Sequence, residues 1–226
     1  MELKVIAYAR NGHTDKFGIP RQSREESPIV TRIVFEPEYA VVEALRGIEG
    51  FSHLWILWGF SEVDSWSPTV RPPRLGGNKR VGVFATRSPF RPNPIGMTSV
   101  RLLGVRNKKS GSKTMELLVS GADLMDGTPI YDIKPYLSYS DSHPEAVNGF
   151  AEEFIEYRLQ VSGDGLQDVP EDVRRDIEYI LSQDPRPAYQ DDPKREYKMD
   201  YAGYRITFVV EDTRAIVKKI SKITKK

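Results

Sequence analysis

The run "FATRSPFRPNPIGMTSVRLLGV", Phe84 to Val105, decides the fold. Its two ends alternate apolar and polar residues as β-strands do, while Pro89, Pro92 and Pro94 interrupt its middle. Each proline removes a backbone donor and fixes φ, so neither a helix nor a central strand passes through that middle. A stiff, open loop carrying Arg87, Arg91 and Asn93 is expected between strands.

Outward from this loop, "KVIAYA", "IVTRIVFE", "HLWILWGF", "RVGVFAT", "TSVRLLGV" and "TMELLVSGADL" are short, rich in β-branched and aromatic residues, and mostly alternating. They predict a closed or nearly closed β-barrel. A turn or two of helix is expected in "EYAVVEALRGIEG", where Val42, Leu45 and Ile48 fall at near-helical spacing and Gly50 is a stop; it would cover one barrel mouth. Strands do not alternate with long helices, which argues against a doubly wound parallel sheet.

Composition shifts after about Pro144, where "HPEAVNGFAEEF" is acidic and loop-like, with a helical turn at Phe150 and Phe154 as an alternative. "EYRLQVS" then predicts a strand. "PEDVRRDIEYILSQ" predicts a helix with Pro170 at its first position and Val173, Ile177, Ile180 and Leu181 on one face. "YRITFVV" and "RAIVKKIS" predict a hairpin across "EDT". The fold class is therefore mainly β: a barrel with short helices over residues 1–142, and a small α+β domain over 143–226.

With 226 residues and no Cys, the chain can bury a core without disulfides, and it has neither a thiolate metal site nor a cysteine nucleophile. No apolar run reaches the ~20 residues of a membrane span, and "MELKVIAYAR" lacks the pattern of a signal peptide. A cytoplasmic protein is expected. The three histidines, His13, His53 and His143, are far apart, HExxH is missing, and no metal site is expected. A P-loop and a glycine-rich dinucleotide fingerprint are missing too, since "SGDGLQ" lacks the later glycine.

The net charge of +1 conceals an asymmetry. Ser65 to Met115 spans 51 residues with no Asp or Glu, where the overall composition would place about seven. The same window holds Arg71, Arg74, Lys79, Arg80, Arg87, Arg91, Arg101, Arg106, Lys108, Lys109 and Lys113. A solvated basic surface is one reading; a contact surface for a polyanion is the reading that the single sign of charge favours.

"DLMDGTPIYDIKPYL", Asp123 to Leu137, carries a second concentration of chemistry. Asp126-Gly127 is a turn pair. On an extended segment Asp132 and Lys134 would share a face with Ile130 and Tyr136, either as a structural ion pair or as an active-site couple.

The runs "RPPRLGGNKRVGVFATRSPFRPNPIGMTSVRLLGV" and "DGTPIYDIKPYL", with "GFSHLWIL" before them and "QDPRPAY" after them, closely resemble the TsaA-like, or TrmO, family of β-barrel tRNA methyltransferases that use S-adenosylmethionine. The similarity extends over nearly the whole chain. It implies methylation at N6 of threonylcarbamoyladenosine at tRNA position 37, and a homodimer. Carried over by position, cofactor contacts are implied at Gln22, Ser23, Arg24, Ser61, Glu62, Arg87, Met97, Asp126, Gly127, Thr128 and Pro129. Relatives often have Pro-Gly at the positions of Ser23 and Arg24, and His-Gln at those of Ser61 and Glu62, so backbone contacts are expected there.

The accepting nitrogen is a ureido nitrogen conjugated with ring and carbonyl, and is a poor nucleophile until its proton leaves or is shared. Asp132 is the expected acceptor, with Lys134 or Arg91 holding the threonine carboxylate. Orientation toward the sulfonium methyl could also supply much of the acceleration with no dedicated base. Methylation at nitrogen, unlike that at a pyrimidine carbon, needs no cysteine adduct. RNA contacts are expected from Arg71, Arg74, Lys79 and Arg80, and from Arg186 and Tyr189 in "SQDPRPAYQ" as a phosphate clamp and a stacking face. A non-catalytic RNA-binding barrel and a small-molecule methyltransferase are the alternatives; the second leaves the acid-free window unexplained.

Overall fold

Six strands whose inward positions are apolar close into an antiparallel barrel. They are β1 (Ala7–Arg10), β2 (Val30–Phe35), β3 (His53–Gly59), β6 (Ile95–Asn107), β7 (Met115–Ser120) and β8 (Pro129–Pro135), hydrogen-bonded in the order β1-β2-β7-β6-β3-β8 and back to β1. The computed structural model describes residues 2–19, 26–72, 75, 79–107, 114–151, 158–186, 192 and 195–223. The chain divides into two units. The first comprises Met1–Gly12, Arg21–Pro72 and Asn78–Tyr136; the second comprises His13–Pro20, Pro73–Gly77 and Leu137–Lys226.

Period-two alternation fills the barrel. Ile33, Phe35, Leu54, Ile56, Val100, Leu117, Val119 and Ile130 are buried together inside it. β1 offers only Ala7 and Ala9 to this interior, and their partners across the ladder are Phe35 and Ile33, so large side chains meet small ones. At Gly96 an added Cβ would lie 2.3 Å from the Trp58 ring, so that position accepts no side chain while the indole stays in place.

Four sequence expectations change. The "EYAVVEALRGIEG" helix is two 3-10 turns, Val42–Leu45 and Ile48–Gly50, broken at Gly47 (φ 88°) rather than continuing to Gly50. Leu45 and Ile48 nonetheless pack against the barrel core. "RVGVFAT" is no barrel strand: among the described residues Val81–Gly82 (β5) pairs only with Thr69–Val70 (β4), and Val83–Ala85 forms a 3-10 turn. The Thr86 hydroxyl and the Arg91 guanidinium both donate to the Val83 carbonyl and hold that turn. In β8 a register shift opposite Leu57 and Trp58 pairs Trp58 with Ile130 but Leu57 with Asp132. Ile130 and Ile133 therefore both face the core, and Asp132 and Lys134 lie on the outer face instead of sharing one with Ile130. Fourth, Pro170 stands at the N-cap, one residue before the helical start.

The second unit contains a four-stranded sheet of order β10-β11-β12-β9, from Tyr197–Tyr201, Tyr204–Glu211, Arg214–Lys222 and Gln160–Gly163 respectively. The β11–β12 hairpin turns at Asp212-Thr213; β9 adds in parallel to β12, and β10 is a strand that the sequence reading did not include. Helix α1 is the single turn Ser138–Asp141, and α2 (Glu171–Ser182) buries Ile177, Ile180 and Leu181. The expected turn near Phe150 is a 3-10 turn at Gly149–Ala151, while Phe154 lies outside the described residues.

A short excursion of the β1–β2 connection belongs to this second unit. His13 is buried, bridges to Tyr201 and meets that ring edge-on at 5.1 Å between centroids. Phe17 lies against Tyr197 and Phe208 at 6.3 and 6.4 Å. Gly18 (φ 106°) passes so close to Met199 that an added Cβ would stand 2.5 Å from its sulfur.

Candidate cofactor and RNA site

Strand direction gathers the candidate residues. β1, β7 and β3 end at one rim of the barrel, and β2, β6 and β8 begin there. The connections β1–β2, β3–β6 and β7–β8 all leave from that rim. They contain every residue matched to the cofactor except Met97 and Pro129, which stand in the opening residues of β6 and β8. The opposite mouth receives the 3-10 turns of the β2–β3 connection.

At the rim, Met125 to Thr128 form a tight turn closed by a Thr128 N–H to Met125 carbonyl bond of 3.2 Å, with Gly127 at φ 84°. A positive φ at the third position of such a turn is what glycine supplies. The turn is fastened to β1. Gly127 N–H donates to the Ala9 carbonyl at 2.9 Å, Ala9 N–H donates to Thr128, and the Asn11 backbone N–H donates to Asp126 Oδ1 at 3.1 Å. Arg10 Nη1 stands 3.6 Å from Asp126 Oδ2, and the Asn11 side chain donates to the Leu124 carbonyl and to Thr31. The Asp126 carboxylate is thereby oriented at the rim while keeping about a third of its surface exposed.

Asp123, three residues earlier, is a further candidate that its sequence neighbours do not single out. Burial raises its pKa from the ordinary aspartate value, against the opposing effects of a hydrogen bond from Thr98 and the nearby positive charge of Arg87. Thr98 is itself buried, on the inward row of β6 with Gly96 and Val100. A carboxylate shifted upward by burial, beside a specific cation, marks a candidate functional group. Arg87 is exposed and stands at the end of the Val83–Thr86 turn.

The remaining candidates are placed as follows. Ser61 and Glu62 form an exposed turn just after Phe60, whose N–H donates to the Pro94 carbonyl, so this turn and the proline loop are tied together. Met97 is 60% exposed; Leu57 stands opposite both Met97 and Asp132, giving one outward row across β6, β3 and β8. Lys134 Nζ lies 2.7 Å from Asp132 Oδ2, with both side chains about half exposed, and Asp132 Oδ1 accepts the Ile133 N–H. This is an ion pair on the outer wall. Arg91 is committed locally: its Nη1 donates to the carbonyls of Val83 and Thr86 at 3.0 and 2.7 Å.

Arg71 and Lys79 are exposed, and Arg80 donates to the Thr69 hydroxyl and carbonyl. Arg186 makes a two-pronged pair with Asp184 at 2.8 and 2.9 Å, and its side chain is only 11% exposed. Gln22, Ser23, Arg24, Arg74 and Tyr189 lie outside the described residues. Among the described residues no group of three or more His, Cys, Asp or Glu side chains could hold a metal ion, and no helix is long and apolar enough to cross a membrane.

A closed antiparallel barrel with oriented carboxylates and an exposed arginine collected on the connections of one rim belongs to the class of barrels whose candidate site is built from loops. Comparison with known proteins makes the family particular. The family model of the tRNA-methyltransferase O N-terminal domain matches residues 8–142, and that of the TrmO C-terminal domain matches 153–223, so this chain belongs to the TrmO family. It is 42% identical over 177 residues to a tRNA (adenine(37)-N6)-methyltransferase of Eikenella corrodens, covering 75% of this chain and 97% of that one. It is 41% identical over 199 residues to the protein of the same name from Escherichia coli, covering 84% and 83%. The crystal structure of TrmO from Pseudomonas aeruginosa superposes with a TM-score of 0.76 at 30% identity, covering 98% of each chain.

Proposed function

We propose that this protein transfers a methyl group from S-adenosylmethionine to N6 of threonylcarbamoyladenosine at position 37 of tRNA. Family membership over both units supports the coarser reading, a tRNA adenine-N6 methyltransferase. The single structural observation that supports the site is the convergence of the three connections on one rim, with Asp126 and Arg87 on two of them.

The donor set there fits the cofactor. Arg87 matches a carboxylate tail; Asp126, fixed by Asn11 and Arg10, matches ammonium or hydroxyl donors; exposed Met97 and Ile95 give an apolar surface for a purine. When bound, S-adenosylmethionine supplies an electrophilic methyl group on a sulfonium centre. The protein's own contribution is to orient the nucleotide and accept a proton from N6.

Asp123 suits that second task better than Asp132. Burial raises its pKa, which suits a proton acceptor, whereas the Asp132 carboxylate is about half exposed and paired with Lys134. Lys134 and Arg91 are correspondingly weaker candidates for holding the threonine carboxylate, one paired on the outer wall and the other clasping its own loop. The reading includes a cytoplasmic homodimer, carried by the family resemblance.

The deciding experiment is incubation with labelled S-adenosylmethionine and total tRNA, then mapping of the labelled nucleoside; label on a small metabolite, or on none, refutes the reading. Arg87→Ala and Asp126→Ala are each expected to weaken S-adenosylmethionine binding roughly tenfold in calorimetric titration, the scale of one charge-assisted contact. Unchanged affinity in folded protein removes that residue from the site.

A further inference from the structure

The turn that carries Phe84 is built to show a ring to solvent. Phe84 is 74% exposed, an unusual place for a phenyl group. Its backbone is nevertheless fixed on every side. Val83 before it is buried and donates its N–H to the Pro68 carbonyl at 3.0 Å; Thr86 after it returns both its N–H and its hydroxyl to the Val83 carbonyl. Arg91 donates to the carbonyls of Val83 and Thr86, and its guanidinium carbon lies 5.5 Å from the centroid of the Phe84 ring, covering one face of it.

Two more exposed aromatic rings belong to the same β3–β6 connection: Trp66 at 56% and Phe90 at 43%. The segments bearing them are joined, since Ser67 N–H donates to the Phe90 carbonyl at 3.2 Å. All three rings fall inside the window that contains no acidic residue, with exposed Arg71, Lys79 and Arg87 in the same window. Exposed aromatic rings interleaved with cations are the chemistry of a surface that binds single-stranded nucleic acid, on which bases stack and phosphates are neutralised.

We propose that Phe84, locked by the Arg91 clasp, is a stacking platform for an unpaired base of the tRNA anticodon loop, with Trp66 and Phe90 extending the same surface. The proposal rests on the tRNA methyltransferase reading and adds to it the residues that receive the loop. Arg91 thereby acquires a positioning role: it fixes the turn and backs the ring, leaving the opposite face for the base. A fixed ring also loses little entropy on binding.

The test uses the full chain and a fluorescent anticodon stem-loop RNA carrying 2-aminopurine in its loop, titrated at several salt concentrations. Phe84→Leu and Phe84→Ala are expected to lose roughly tenfold in RNA affinity and most of the stacking-induced quenching, and Phe84→Trp to retain both. Because no phosphate contact is removed, the slope of log affinity against log salt should stay as in wild type. Arg71→Ala, by contrast, should lower it by about 0.7. Affinity for S-adenosylmethionine and the molar mass by light scattering should be unchanged in the Phe84 variants. Wild-type affinity and quenching in Phe84→Ala would overturn the proposal, and so would a fall in molar mass, which would assign the ring to a second copy of this chain. Wild-type protein that methylates tRNA while the Phe84 variants bind normally defeats the platform alone; wild-type protein that labels no tRNA defeats the reading beneath it.

Discussion

Asp123→Asn is expected to lower the rate of tRNA methylation by about a hundredfold while the protein remains as stable as wild type or becomes more so. General-base assistance contributes on the order of 10²–10⁴-fold, and the amide cannot take the proton. The stability side follows from linkage. Burial raises the folded-state pKa of Asp123 above its unfolded value, so its contribution to stability is present at low pH and is lost as pH rises through the folded pKa. At neutral pH the buried carboxylate is a liability that a neutral amide of the same shape relieves, while Thr98 can still donate to the amide oxygen. Single-turnover methylation beside thermal unfolding separates the two effects. The acid limb of the wild-type pH–rate profile should lie higher than that of an ordinary aspartate. Wild-type turnover in Asp123→Asn would return the proton-acceptor role to Asp132 or dispense with a base.

Acid should loosen the second unit through His13. Burial lowers its pKa from 6.5 to about 4. The unfolded chain therefore binds a proton that the folded chain refuses. Stability is complete above pH 6.5 and is lost progressively as pH falls toward 4, by about 3 kcal/mol from this group. The charged groups around it act in their own directions. The Tyr201 hydroxyl, against whose ring His13 packs, donates to Asp176 Oδ2 at 2.7 Å, and burial raises the pKa of both partners. Protonation of Asp176 offsets part of the loss only as pH approaches the carboxylate range. His13→Phe keeps a ring against Tyr201 and removes the titration. Urea unfolding at pH 7 and pH 5 should then show the gap between wild type and variant closing or reversing in the acid. A parallel decline in both proteins would show that His13 does not govern acid stability.

The sequence was most informative where alternation and burial agree, as in "HLWILWGF", whose Leu54, Ile56 and Trp58 face the core as their spacing predicts. It misled at "RVGVFAT", because Val81, Val83 and Ala85 alternate like a strand while the bonds that bend them come from Thr86 at its end and from Arg91 in the following loop. Tyr131 illustrates another limit. One residue left out of the ladder inverts the face of all that follows, and no local composition announces it. Asp123 and Asp126 look alike within "DLMDG", yet one is buried against Thr98 of β6 and the other held at the rim by β1; only the closed barrel distinguishes them. Arg186 was legible as a motif residue but not as the partner of Asp184, whose left-handed backbone (φ 46°) forms that pair's base.

The excursion of the β1–β2 connection bears on how the protein is made. His13, Phe17 and Gly18 are synthesised before five of the six barrel strands, whereas the rings and sulfur that receive them belong to Tyr197, Met199, Tyr201 and Phe208, which follow all six. A chain that has emerged as far as Pro135 holds every barrel strand but none of these partners of His13 and Phe17. His13, Phe17 and Gly18 therefore wait for partners that translation delivers after the strands on either side of them, so this segment settles later than the ladder it interrupts.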